Sequence, residues 1–372
     1  MNKINAIDEL AEELISFLSN YEIQDIFISN DGNRNQLRPR NERTCRFCNK
    51  SYPAVKFKAI AHLIPKSFGN NSLKSDFECD TCNGKFSLFE TDFASILGIH
   101  KTLSPNNEER RTFTSNTVVA KEITLTSGKT VTWIINKNLN QRAFKLDEKK
   151  GKLEIEYVKP AYTPINVYKL FLKIGISCLR PEEIVFYQPL LHLLQTNNDK
   201  VLSPFAINVS AYELSFKVQS PRVIVYKRTN PECHNLLHHV QIYFQEFVFL
   251  IPMPLNTEDR NLYENTNLNL NLCPPVFLDD PIAPINYHRG FIDLSSLDKV
   301  SEKDLMSIIS DPLNFNNLSS FDGNEGIKNN INLDGVQIEG IIQIKEGETL
   351  DKQDMLELQN LFRNIRGGNM QS

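Results

Sequence analysis

CRFC at 45–48, AHLIPKSFGN at 61–70 and ECDTCN at 78–83 follow one another along the chain, and their joint meaning decides the fold. Two C-x-x-C pairs separated by 30 residues present four thiolates as two knuckles. Tetrahedral zinc accepts such a set at Zn–S distances of about 2.3 Å. Cys178, Cys233 and Cys273 are scattered singly, and an odd total of seven cysteines suits a metal site in a reducing compartment better than a disulfide framework. A purely structural zinc ribbon would need no more than Cys45, Cys48, Cys79 and Cys82. Two features exceed a ribbon. His62 stands three residues before Pro65, which ends a short strand, and Asn83 directly follows Cys82 where GKFSLFETDFASIL begins a helix. Closing the knuckles brings that hairpin and that helix start face to face.

Working outward, 372 residues with 41% hydrophobic and 23% charged content describe a globular chain long enough for two domains. No apolar run reaches the ~18 residues that span a bilayer, and the opening MNKINAIDELAEELISFLSN carries acids among its apolar positions, unlike a signal peptide. The expectation is a cytoplasmic protein with no membrane partner. Net charge is −4, but residues 34–74 hold ten bases (Arg34, Arg38, Arg40, Arg43, Arg46, Lys50, Lys56, Lys58, Lys66, Lys74) and one acid, Glu42. A local +9 coincident with the cysteines points to a phosphate-binding surface.

Periodicity divides the rest. Ile7, Leu10, Leu14 and Phe17 alternate spacings of three and four, a helix. TVVAKEITLT and TVTWIINKN around SGK read as a hairpin, and RAFKLDEKKGKLEIEYV as a second one. Residues 164–195 read as two helices broken at Arg180-Pro181; RVIVYKR and VQIYFQEFVFLIPMP read as strands; LYENTNLNLNLCPP reads as a surface loop, and DKQDMLELQNLFRNI as a terminal amphipathic helix. The predicted class is α+β: a small zinc-stabilised module with an N-terminal helix over 1–104, then a larger mixed β-rich domain over 105–372.

The ordered set C-x-x-C, A-H-L-I-P-K-S-F-G-N, E-C-D-T-C-N resembles the HNH, or ββα-metal, endonucleases in their four-cysteine form. The resemblance implies Cys45, Cys48, Cys79 and Cys82 as structural zinc ligands, His62 as general base, and Asn83 as a ligand or orienter of a catalytic Mg2+ or Mn2+. Double-stranded DNA is the implied partner. The chemistry agrees, since phosphodiester hydrolysis needs a base to activate water and a cation to neutralise the phosphate. One position departs: Ala61 stands where the family carries Asp, Glu or His, and Asp76, Glu78, Asp80 and Glu90 are the acids near enough in sequence to weigh. The loop-holding Asn of the family matches Asn70 or Asn71, with Asp76 nearer its usual place.

Beyond the module the signals thin. ECHNLLHHV offers Cys233, His234, His238 and His239 as a weak second metal set, Trp133 reads as a core or edge aromatic, and Tyr287-His288-Arg289 converges on nothing. The two-part architecture resembles gated effectors of bacterial anti-phage defence and modification-dependent restriction enzymes, with 105–372 as sensor or targeting domain. An activating ligand or partner protein and a homo-oligomer belong to that expectation. The alternative from another class is a noncatalytic zinc-stabilised nucleic-acid-binding protein, which Ala61 favours.

Overall fold

A computed structural model describes residues 3–29, 37–102, 112–137, 143–147, 152–196, 198–214, 217–264, 274–276, 287–309, 319–322, 326–329, 340–344 and 349–367. Arg34, Cys273 and most of the Asn-rich segment lie outside these residues. The chain runs through α1 (Lys3–Leu18), β1 (Tyr21–Ile28), β2 (Ala61–His62), β3 (Lys74–Ser75) and α2 (Asp80–Ile96). It continues with β4 (Thr112–Thr114), β5 (Val118–Thr124), β6 (Thr130–Asn136), β7 (Phe144–Asp147), β8 (Lys152–Val158), α3 (Pro164–Cys178) and α4 (Gln188–Gln195). There follow β9 (Val209–Leu214), β10 (Arg222–Arg228), β11 (His238–Phe244), β12 (Phe247–Pro252), β13 (Tyr287–Ile292) and β14 (Lys303–Ile309). β15 (Ser319–Asp322), β16 (Gly326–Asn329), β17 (Gly340–Ile344) and α5 (Lys352–Gly367) complete the order. The class is α+β with antiparallel sheets, as the sequence predicts. Among the described residues no helix is long and apolar enough to cross a membrane.

Two compact units interleave along the chain, 1–94 with 162–300 and 95–161 with 301–372, so a single cut at 104/105 does not separate them. The first unit holds a six-stranded antiparallel sheet in the order β1-β10-β11-β12-β9-β13. Its inner strands are buried along continuous runs, RVIVY in β10 and HHVQIYF in β11, which is why they show no alternation in sequence. VQIYFQEFVFLIPMP, read from sequence as strand, folds back on itself as the β11–β12 hairpin, with Gln245 at φ 52° in the turn.

α3 is the centre of this unit. Pro164 starts it, where the missing N–H costs nothing, and Arg180-Pro181 cannot continue it. Every residue of α3 except Asn166 is buried, the signature of a helix covered on all sides. A short 3-10 turn over Pro181–Tyr187 then leads into α4. Aromatic rings weld the cysteine module to this core: Phe68 stacks on Phe93 of α2 at 4.4 Å and meets Phe244 of β11 edge-on at 4.8 Å. Phe93 meets Phe171 of α3 at 5.6 Å, and Phe171 stacks on Phe249 of β12 at 4.8 Å. Such ring pairs add about 0.5–1.5 kcal/mol each beyond the area they bury.

The second unit carries the four-stranded sheet β17-β6-β5-β4 and the three-stranded sheet β14-β8-β7. Trp133, 4% exposed, packs with Leu125, Val131, Ile135 and Leu358, confirming it as a core residue. Gly98 has φ 57°, and a Cβ there would meet the Tyr157 hydroxyl, so only glycine suits that turn.

Candidate active site

The first knuckle is a tight turn in which the Cys45 amide donates to Lys50 O at 2.9 Å and the Asn49 amide to Cys45 O at 2.8 Å. Asn49 takes φ 54°, a left-handed conformation that asparagine tolerates. The second knuckle is the start of α2, where Cys79 precedes the helix and Cys82 lies in its first turn. Unpaired amides at a helix N-terminus favour negative charge and so favour thiolates. The four sulfurs lie within 4.8 Å of one another, with Cys48 and Cys79 3.8 Å apart. Two tetrahedral zinc ligands at about 2.3 Å would stand about 3.8 Å apart, so the donors fit such an ion in number, spacing and chemistry. Their protonation agrees: the contact with Cys82 brings Cys45 down to about 5, and the same contact pushes Cys82 up. Burial pushes Cys79 up to about 11. The set can hold a metal ion such as zinc. Gln195 of α4 donates to Cys82 Sγ at 3.4 Å, an outer contact supplied from beyond the module.

Between the knuckles, β2 and β3 are two residues each, paired Ala61↔Ser75 and His62↔Lys74. So short a ladder cannot hold its own register, and Asn70 does that work. Its side chain, 0% exposed, donates to Ile64 O at 2.5 Å and Leu73 O at 2.9 Å. It accepts from the Ser72 and Leu73 amides and from Ser29 Oγ. Asn70, rather than Asn71 or Asp76, is the loop-holding residue.

His62 is half-buried on β2, directly across from Lys74, and its Nδ1 is enclosed with no hydrogen bond to a described residue. Burial first, then the charges of Lys66, Lys173 and Lys74, bring its pKa down to about 4, so the ring is neutral at physiological pH. Asn83, half-buried in the first turn of α2, donates its amide to Cys79 O at 2.9 Å. Asp80, in the same turn, accepts from the Lys58 and Ala59 amides at 3.1 and 3.0 Å and so ties the approach to β2 to the start of α2.

Ala61 is 2% exposed, buried where a carboxylate would have to be desolvated. The neighbouring acids are largely occupied. Asp76 accepts from the Arg38 guanidinium at 2.8 and 3.1 Å, Asp80 is engaged as above, and Glu78 pairs with Lys173 at 3.0 Å. Glu90, on the face of α2 seven residues beyond Asn83, makes no hydrogen bond to a described residue, and burial raises its pKa. Among the described residues no group of carboxylates is assembled here to share a divalent ion.

The basic segment divides in two. Arg38 is bound to Asp76, and Arg43 is buried and donates to Arg38 O. Arg46 stacks over Phe77 at 3.8 Å and donates to Ile176, Ser177 and Leu179 carbonyls, capping the C-terminus of α3. These arginines build the module. Lys50, Lys56, Lys58 and Lys66 are exposed.

ECHNLLHHV is not a metal site. His238 and His239 enter β11 fully buried while His234 is exposed. His238 Nδ1 meets Tyr187 Oη at 2.9 Å and its Nε2 lies 3.3 Å from Glu183; His239 Nε2 lies 3.3 Å from Tyr21 Oη. Among the described residues the four cysteines are the one grouping of three or more His, Cys, Asp or Glu able to share an ion. Arg289 pairs with Glu13 at 3.2 Å on the edge strand β13. Sequence reasoning missed Lys173, Gln195 and the structural use of Arg46, because each acts on a partner more than a hundred residues away.

Residues 45–94 match the family of HNH endonucleases. The matched segment spans both knuckles, His62 and Asn83, and it supports nuclease activity and a nucleic-acid substrate. No curated protein and no solved structure matches the chain.

Proposed function

We propose that the protein is an endonuclease that hydrolyses phosphodiester bonds in DNA, with His62 as general base and zinc held by Cys45, Cys48, Cys79 and Cys82. The observation that carries this reading is a neutral histidine fixed on β2, inside a segment matching the HNH endonucleases. The ring accepts a proton from the attacking water. Lys66 and Lys74, whose charges reach His62, draw a phosphodiester toward it, and the exposed Lys50, Lys56 and Lys58 extend that attraction along the backbone. A Mg2+ or Mn2+ ion, when bound, neutralises phosphate charge; Asn83 would hold it, with the substrate's own phosphate completing its ligands. Zinc in this scheme has a structural part only: it fixes the start of α2, and with it Asn83, against the hairpin that carries His62.

The remainder of the chain supplies restraint or targeting in this proposal, as in the defence effectors whose two-part architecture it resembles. A noncatalytic, zinc-stabilised nucleic-acid binder is the second reading, favoured by the buried Ala61. Supercoiled plasmid incubated with Mg2+ or Mn2+ separates the two. The wild type should nick or linearise it, while His62→Ala should keep its zinc and its salt-sensitive DNA binding and lose at least ~100-fold in cleavage, typical of a positioned proton transfer. Equal cutting by both proteins would remove His62 from the chemistry; no cutting by the wild type under any trigger would favour the binder.

A further inference from the structure

Lys173 lies on α3, outside the segment that matches the nuclease family. Its side chain is 1% exposed, and its Nζ stands 2.9 Å from His62 O and 3.0 Å from Glu78 Oε2, a carboxylate itself 0% exposed. A buried ammonium is costly to desolvate, and an apolar side chain of the same shape often serves stability as well, so stability alone is a weak reason for the pair. What the pair does is mechanical. One charge-assisted hydrogen bond holds the carbonyl of His62, on a strand of two residues, and the same ammonium is anchored to the residue just before Cys79. The base-bearing strand and the second knuckle are thus pinned by a single group from a helix a hundred residues further on.

Lys169, one turn earlier on α3, supplies a contrast. It is 3% exposed and pairs with Asp199, itself 17% exposed, at 2.8 Å, with Thr196 O at 3.4 Å and the Phe89 ring at 4.8 Å, so the ammonium is buried alike while among the described residues no hydrogen bond or ion pair connects it to β2. The difference lies in the partner. We infer that Lys173 is a positioning residue for cleavage, fixing the backbone of His62 from outside the nuclease motif. The inference rests on His62 being the base. It has an electrostatic corollary: the charges facing His62 are Lys66, Lys173 and Lys74, with Glu78 behind Lys173, so deleting the Lys173 charge lets the ring hold its proton to higher pH.

The test uses full-length, zinc-loaded protein on supercoiled plasmid with Mn2+. Lys173→Met alone would strand a buried carboxylate, so the working variant is Lys173→Met with Glu78→Gln, and the control is Lys169→Met with Asp199→Asn. The Lys173/Glu78 variant should bind plasmid and zinc like the wild type and lose roughly 10- to 100-fold in kcat, on the scale of an ångström's misplacement of a reacting group. The acid limb of its pH–rate profile should move to higher pH, whereas the control keeps the wild-type limb. If the Lys173/Glu78 variant does not fold, Lys173→Gln with Glu78→Gln, which keeps an N–H in reach of the carbonyl, should retain more of kcat and show the same upward move. A folded variant with wild-type kcat and acid limb overturns the inference, as does an equal shift in the control. Failure of the base assignment looks different: His62→Ala would then cut like the wild type.

Discussion

Replacing Asn70 by alanine should cost this protein about 3–5 kcal/mol, from one side chain with no part in the chemistry. The amide makes five hydrogen bonds, four within the loop between β2 and β3 and one with Ser29. Two of the groups it serves keep other partners: Ser29 Oγ lies 3.2 Å from Ser72 Oγ, and Leu73 O also accepts from the Leu63 amide at 3.1 Å. Three do not. Ile64 O and the amides of Ser72 and Leu73 have no other partner among the described residues, and a buried polar group left unsatisfied costs about 1–3 kcal/mol. Partial relaxation brings the sum below its upper bound, and the result is still large against the ~0.5 kcal/mol of an ordinary surface change. Asn70→Asp should be no milder, because it points a carboxylate oxygen at two carbonyls. Urea unfolding of the full chain measures both, read from the midpoint at unchanged slope. Cleavage assayed well below the unfolding midpoint should fall as well, since the loop sets the His62↔Lys74 register. Variants within about 0.5 kcal/mol of the wild type would show that the loop is held by something other than Asn70.

Two further outcomes follow from the cysteines and from β11. Metal analysis should return one tightly held zinc per chain, and Cys82→Ser or chelation should unfold not only 45–94 but also α3, as hydrogen exchange would show, because structural zinc contributes about 10 kcal/mol or more to folding. A zinc-free chain with the wild-type unfolding midpoint would contradict this. His239, held down to about 3 by burial and then by the charges of His238 and Arg228, takes up a proton near pH 6.5 only when unfolded. The folded pKa is depressed, so its contribution is full above pH 6.5 and is lost as pH falls toward 3. Between pH 6.5 and 4 the wild type should therefore lose stability more steeply than His239→Gln; equal slopes would show that the ring is not buried as a neutral group.

The module was legible because its constraints are local. Cys45, Cys48, Cys79 and Cys82 announce themselves by spacing, the β5–β6 hairpin by alternation around Ser127-Gly128, and α3 by its proline at either end. Buried strands were readable as strands but not as neighbours: nothing in RVIVYKR says that it lies between β1 and β11. The arginines misled for a physical reason. Composition counts charge and not direction, so Arg46, turned inward to cap α3, weighs the same in sequence as the exposed Lys58. The acids near His62 in sequence, Asp76, Glu78 and Asp80, are engaged by other partners, while the group that touches its backbone is Lys173, from α3.

That last contact bears on why the nuclease segment comes with so much additional chain. A fragment ending at residue 104 would keep both knuckles, His62 and Asn83, yet it would lose Lys173, the ammonium that pairs with Glu78 and holds the His62 carbonyl. It would lose the carbonyls that Arg46 caps, and Phe171, Phe244 and Phe249, against which Phe68 and Phe93 pack. Against a typical total stability of about 5–15 kcal/mol, losses of this kind leave little folded fragment. The hairpin that carries His62 is thus expected to need α3 in place, and α3 is covered in turn by the six-stranded sheet. On the proposed reading, a regulator of this nuclease needs no contact with the cysteines or with the nucleic acid. Any ligand that binds one arrangement of α3 more tightly than another biases the His62 strand by that difference in affinity, and a ligand without such a difference changes nothing.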